Sequence, residues 1–171
     1  MTPKILVMGV SGCGKSTVAA HLASALKCPL IEGDDFHLPQ SKLKMRRGIP
    51  LDDEDRWPWL DRLGRLLAMP GETAVLTCSS LKRAYRDRLR MAVPGLKVVF
   101  IEISPEEARE RVASRFDHLF PASLVTSQFA ALESPIGEPD VLRVEATAAI
   151  EQQVQDIRDW LGQSTFATSS P

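Results

Sequence analysis

Eight residues near the N-terminus, Gly9-Val10-Ser11-Gly12-Cys13-Gly14-Lys15-Ser16, limit the possible architectures more than any other stretch of the chain. They spell G-x-x-x-x-G-K-S, follow the apolar run Ile5, Leu6, Val7, Met8, and open a helical pattern carrying Thr17, Val18 and Leu22. Strand, glycine-rich turn and helix in that order make a phosphate-binding loop. Its glycines let backbone N–H groups converge on phosphate oxygens, and the new helix adds the positive end of its dipole. ATP phosphates are therefore expected along Gly9, Ser11, Gly12, Cys13, Gly14, Lys15, Ser16 and Thr17, with Lys15 reaching the β- and γ-phosphates and the Ser16 hydroxyl a ligand of Mg²⁺. Cys13 reads as a small residue at a variable loop position, because nothing nearby in the sequence marks its thiolate as stabilised.

Downstream, apolar runs of strand length alternate with helical patterns. Strands are expected at residues 5–8, 29–32, 74–78, 97–103 and 141–145, the fourth being continuously apolar as a strand buried on both faces must be. Helices are expected at 15–26, 53–67 (despite Pro58), 81–91, 122–132 and 148–161, with a polar, basic stretch before residue 47. Ser104, Pro105, Glu106 and Glu107 open one more helix, with a capping Ser, Pro at the first helical position and acids in the first turn. The alternation predicts an α/β fold: three layers, with a central five-stranded parallel sheet and helices on both faces. One domain over residues 1–162 is expected, with 163–171 a frayed tail beginning at the small, polar residues after Gly162.

Composition narrows the partners. A formal net charge of −1 leaves no global field for nucleic acid or an anionic membrane. No window approaches the roughly 20 apolar residues needed to span a bilayer, and the first apolar run is too short for a secretory leader. Cys13, Cys28 and Cys78 form neither an even disulfide set nor a paired zinc spacing, so reduced thiols in a cytoplasmic protein are expected. The chain contains no asparagine, which removes the Asn-Lys-x-Asp guanine reader of Ras-type GTPases. Glu102, at the end of an apolar strand, imitates an acidic metal ligand but lies far along the chain and reads as an ordinary strand-end acid.

The segment Glu32-Gly33-Asp34-Asp35-Phe36-His37 follows the second strand, so its acids emerge beside the phosphate loop at the carboxyl edge of the sheet. A kinase acting on an alcohol needs a carboxylate there to orient the hydroxyl and accept its proton. Asp34 suits that role, with Glu32 and Asp35 near the metal's water shell or hydrogen-bonding locally.

With the phosphate loop through Thr17 and this acidic turn stand Lys44-Met45, Gly48-Ile49-Pro50-Leu51 with Asp53, Asp55-Arg56 and Pro58-Trp59-Leu60. Cys78-Ser79-Ser80-Leu81-Lys82-Arg83, Tyr85-Arg86-Asp87, Ser127-Gln128-Phe129 and Leu132-Glu133 complete the set. Together they resemble the gluconokinase family over nearly the whole ordered chain. The resemblance implies an adenylate-kinase-like fold, a helical lid at about 109–133, ATP and Mg²⁺, transfer to the 6-hydroxyl of D-gluconate, and a homodimer. It places Arg56, Lys82, Arg83 and Arg86 on the substrate and makes Arg115 the lid arginine, while Glu32 joins Ser16 as a metal candidate.

The residues agree in chemistry. A carboxylate followed by hydroxyls needs cationic forks and mixed donors, and the rival reading of the Arg-rich group is a solvated helix face balanced by Asp87. His37 reads either as a donor to a sugar hydroxyl or as a loop histidine satisfying backbone groups. Trp57, Trp59 and Trp160 read as packing residues, and Arg111 either as a second lid cation or as a surface ion-pair partner. Where the family has Arg-x-Gly-His-Phe, this chain has Arg115-Phe116-Asp117-His118-Leu119-Phe120, so Asp117 alters the expected lid. A related small-molecule kinase such as shikimate kinase carries a glycine run where Cys78-Ser79-Ser80 stands here. A nucleoside-monophosphate kinase or a non-catalytic ATP-binding module are the remaining alternatives.

Overall fold

The computed structural model describes residues 2–114 and 123–166. Five parallel strands, β1 (Lys4–Met8), β2 (Leu30–Glu32), β3 (Ala74–Thr77), β4 (Lys97–Glu102) and β5 (Val141–Glu145), pair in the order β2-β3-β1-β4-β5. Because all the pairings are parallel, every strand delivers its carboxyl end to the same edge of the sheet.

Side-chain alternation along the central strands explains the three layers. Ile5 and Val7 of β1 face one way, with Val75, Val99 and Ile101. They bury Val18 and Leu22 of α1 (Lys15–Leu26), Ala108 and Val112 of α5 (Pro105–Ala113) and Ile157 of α7 (Ile150–Phe166). Leu6 and Met8 face the other way, with Leu76, Val98 and Phe100, against Leu60, Leu63 and Leu67 of α3 (Asp53–Ala68) and Leu89 of α4 (Arg83–Ala92). Truncating one such core leucine to Ala typically removes about 2–5 kcal/mol.

Pro58 does not break α3. Its missing N–H deprives the Glu54 carbonyl of its helical partner, and both residues are exposed, so the carbonyl stays open to solvent. The helix start is secured by a reciprocal cap in which the Asp55 N–H donates to Asp52 Oδ1 and the Asp52 N–H to Asp55 Oδ2.

Three expectations change. The basic stretch before residue 47 contains a helix, α2 (Pro39–Arg46), which buries only Ser41 and Met45 and so shows little apolar periodicity; Pro39 at its first turn was the readable signal. Residues 163–166, expected to open the tail, continue α7 to Phe166; Gly162 is tolerated within it and the Ser164 hydroxyl donates back to the Trp160 carbonyl. α4 begins at Arg83, which leaves Lys82 outside the helix as an extended capping residue. α6 (Ser123–Ala131) follows the segment 115–122, and the readings made for Arg115 and Asp117 lie outside the described residues.

Candidate active site

The turn between β1 and α1 is a tight cradle. Gly14 caps α1 at φ 97°, in the left-handed region, and its carbonyl receives the first helical N–H, from Val18 at 3.0 Å. The Lys15 ammonium donates to the carbonyls of Gly9 (2.9 Å) and Val10 (3.1 Å), so the cation is held against the loop that it serves. Cys13, expected among the nucleotide-contacting residues, is 1% exposed; its thiol packs into the core and its N–H donates to the Val10 carbonyl.

β2 presents an acid, and β3 a hydroxyl that binds it. Ser16 Oγ donates to Glu32 Oε2 at 3.0 Å, and Thr77 Oγ1 donates to the same oxygen at 2.6 Å. Mg²⁺ favours hard oxygen ligands and commonly uses only one or two from protein, with phosphates and waters for the rest. A serine hydroxyl and a carboxylate at the head of a phosphate-loop helix fit that ion. Among the described residues no three His, Cys, Asp or Glu side chains form a dedicated metal cage.

After Glu32 the chain forms a 3-10 turn, Gly33–Phe36. Gly33 is required by contact, since a Cβ there would lie 2.1 Å from the Thr77 carbonyl oxygen. Its N–H donates to Thr77 Oγ1 at 3.2 Å, and its carbonyl accepts from Trp59 Nε1 at 2.8 Å. His37 stacks on Trp59 with ring centroids 4.0 Å apart, and its Nε2 lies 3.3 Å from Asp34 Oδ1. The His37 side chain is only 3% exposed while that of Asp34 is 69% exposed. The histidine therefore lies behind the aspartate, a contact that neither of its two readings, sugar-hydroxyl donor or partner of backbone groups, had included.

Beside this turn opens a cleft of about 420 Å³ lined by Asp53, Arg56, Lys82 and Tyr85 over Leu51, Leu81 and Ala131. Asp53 Oδ1 accepts from the Tyr85 hydroxyl in a short contact and from Lys82 Nζ at 3.3 Å. The Tyr85 hydroxyl, then Lys82 and Arg56, hold the Asp53 carboxyl below its usual range despite some desolvation. Burial, and then the Asp53 carboxylate, push the Tyr85 phenol up. Arg56 also lines an adjoining cavity of about 60 Å³ with Ser127 and Gln128, and Gln128 Oε1 accepts the Ser11 N–H of the phosphate loop at 2.6 Å. Cys78, buried at the end of β3 with its thiol pushed up to about 11 mainly by burial, senses the charges of both Asp34 and Arg56.

Two predicted substrate cations are elsewhere. Arg86 is fully buried, and all its donors are used: Nε and Nη2 on Glu138, Nη1 on the carbonyls of Ser80 and Leu81, Nη2 also on that of Glu133. A guanidinium with every N–H engaged has nothing to offer a ligand. Arg83 is 65% exposed, lies 3.5 Å from Asp87 and 3.7 Å from Glu138, and is not among the cleft residues. Lys82 precedes the helix that carries Arg83 and Arg86.

Arg111 is more than a surface ion-pair residue. It pairs with Glu107 at 3.1 Å and also donates to the Gly12 carbonyl at 3.4 Å and the Ala146 carbonyl at 3.1 Å. It thus joins the phosphate loop to the segment after β5. Glu102 is taken by Arg143 at 2.8 Å, which fits the reading of a strand-end acid. Thr77 was not singled out from the sequence, and Asp53, Tyr85 and Gln128 entered only as residues of the family resemblance, with no role assigned. Thr77 was within reach, since it ends a strand that must pair beside Glu32, whereas the others depend on how helices meet.

Comparison with known proteins agrees with this geometry. Residues 5–138 match the family described as an AAA domain. A gluconokinase of Gluconobacter oxydans is 46% identical over 82% of this chain and 80% of its own length. The thermosensitive gluconokinase of Escherichia coli is 39% identical over 90% of this chain and 84% of its own length. The crystal structure of a gluconokinase from Sinorhizobium meliloti superimposes with a TM-score of 0.90 at 41% identity, covering 98% of each chain. By sequence and by fold, the chain belongs to the gluconokinase family of P-loop kinases.

Proposed function

We infer that this chain transfers the γ-phosphoryl group of ATP to D-gluconate, giving 6-phospho-D-gluconate in carbohydrate catabolism. The observation that carries the reading is an exposed carboxylate, Asp34, two residues from the Glu32 that accepts the phosphate loop's Ser16 hydroxyl, together with a cleft lined by two cations and an acid. An aldonate matches that cleft: Arg56 and Lys82 suit its carboxylate, and Asp53 accepts from its hydroxyls.

In the proposed mechanism the loop N–H groups and Lys15 hold the phosphates in line with the acceptor. Asp34, braced by His37, orients the 6-hydroxyl and takes its proton as the phosphoryl group arrives. Ser16 and Glu32 would hold Mg²⁺, which supplies charge neutralisation on the phosphates when bound. Arg115 is the candidate for the remaining cation on the transferring group. We assign the chain to the cytoplasm as a homodimer. The location rests on its cysteine usage; the dimer rests on the family resemblance. Among the described residues no helix is long and apolar enough to cross a membrane.

The test is ADP release with Mg-ATP and, in parallel, gluconate, shikimate and AMP, followed by identification of the product from a panel of aldonic acids. Turnover confined to gluconate with 6-phosphogluconate as product is expected. Turnover with shikimate or AMP in preference to gluconate would refute the acceptor assignment.

A further inference from the structure

Gln128 touches both halves of the site. It sits in α6 at 9% exposure, its Oε1 accepts the Ser11 N–H of the phosphate loop, and its side chain lines the small cavity shared with Arg56. The C-terminal end of the same helix is fastened to the turn that presents Lys82. The Glu133 N–H donates to the Leu81 carbonyl at 2.8 Å, Glu133 Oε1 accepts the Arg83 N–H at 2.9 Å, and the Glu133 carbonyl accepts from Arg86 at 2.9 Å. That turn is itself constrained. Ser80 stands at φ 47°, and the buried Arg86 holds its carbonyl at 2.8 Å. Helix α6 is thus a short strut, with the phosphate loop on its Gln128 side chain and the cation-bearing rim of the cleft on its C-terminal end.

We propose that Gln128 is a positioning residue that couples the two substrate sites. Its amide fixes the Ser11 peptide relative to the Lys82 turn, so that ordering either site by its ligand lowers the cost of ordering the other. The coupling rests on the assignment of the loop to ATP and the cleft to gluconate. It is reciprocal: gluconate tightens nucleotide binding by the factor by which nucleotide tightens gluconate binding.

The experiment measures the affinity of the full chain for a non-hydrolysable ATP analogue with Mg²⁺, with and without saturating gluconate, in the parent, Gln128→Met and Gln128→Glu. Methionine keeps the length and removes the acceptor; glutamate keeps an acceptor oxygen. Gluconate is expected to tighten nucleotide binding about 5-fold or more in the parent and in Gln128→Glu, and by less than about 2-fold in Gln128→Met. A residue with only a packing role lowers the melting temperature and leaves the ratio unchanged. Parent-like coupling in Gln128→Met, no coupling in the parent, or equal loss in both variants overturns the proposal. Failure of gluconate to bind the parent at all removes the acceptor assignment, and the coupling with it.

Discussion

Thr77 and Glu32 are register partners on adjacent strands, and the Thr77 hydroxyl donates to Glu32 Oε2 at 2.6 Å while accepting the Gly33 N–H at 3.2 Å. One buried hydroxyl therefore aims the metal-candidate carboxylate and anchors the turn that carries Asp34. Thr77→Val keeps the shape, frees Glu32 and leaves the buried Gly33 N–H unpaired, a loss of about 1–3 kcal/mol. Urea unfolding should show that loss, and a higher Mg²⁺ concentration should be needed for half-maximal rate. An unchanged Mg²⁺ dependence means that Glu32 does not serve the metal.

Among the described residues the Lys15 ammonium donates to the carbonyls of Gly9 and Val10, and Lys15 belongs to neither core cluster. Lys15→Ala should leave the circular dichroism spectrum intact while turnover falls by about 10²-fold or more, the scale for deleting one preorganised donor to a developing charge. Near-parent turnover with an intact spectrum contradicts the role given to the phosphate loop.

Asp53 is held ionised chiefly by the Tyr85 hydroxyl. Its folded-state pKa lies below the unfolded value of about 3.9. Its contribution to stability is therefore complete above that value and fades as pH falls through the lower folded-state pKa. Following the Asp53 carboxyl by NMR, Tyr85→Phe should move its titration upward toward the ordinary value. Asp53→Asn should remove this component of acid destabilisation and raise the KM for gluconate. A titration unmoved by Tyr85→Phe shows that another group sets the charge.

Arg86 is the clearest divide between recognition and architecture. Its partner Glu138 is itself only 5% exposed, so Arg86→Met leaves a buried charge without its main counter-ion, a loss of about 3–5 kcal/mol. The melting temperature should drop sharply, and Arg86→Lys should rescue little because one ammonium cannot replace a fork meeting three carbonyls and a carboxylate. By contrast, Lys82→Met should leave the melting temperature near the parent's and raise the KM for gluconate. The opposite pattern would return Arg86 to the substrate.

The sheet and the phosphate loop were legible because each is written locally: continuous apolar runs mark strands buried on both faces, and the glycine spacing marks the turn. Helix α2 was not, since it buries too little to leave a periodic stripe. Arg86 was misplaced for a related reason. Its neighbours Lys82, Arg83, Arg88 and Arg90 make the segment look uniformly solvated, and the carboxylate that draws it inward, Glu138, lies 52 residues away. His37 shows the same limit, because its stacking on Trp59 joins a loop to a helix across a gap that no sequence period spans.

Asp34 and Asp35 separate the mechanism from its neighbours. They share a 3-10 turn, so what distinguishes them is contact rather than strand alternation. Asp34 has the buried His37 imidazole at 3.3 Å. Removing a positioned acid–base group typically lowers the rate by about 10²–10⁴-fold. Asp34→Asn keeps the size but cannot take the proton, so turnover should fall on that scale while ATP affinity, assigned above to the phosphate loop, is retained. Asp35→Asn should be milder. His37→Gln should fall between the two in turnover, since it loosens the aspartate without removing it, and should leave the KM for ATP near the parent value. Turnover and ATP affinity measured side by side for the three variants decide the matter. If Asp35→Asn is the more damaging, the base is the next residue along the turn; if neither substitution matters, the acceptor proton leaves without help from a carboxylate.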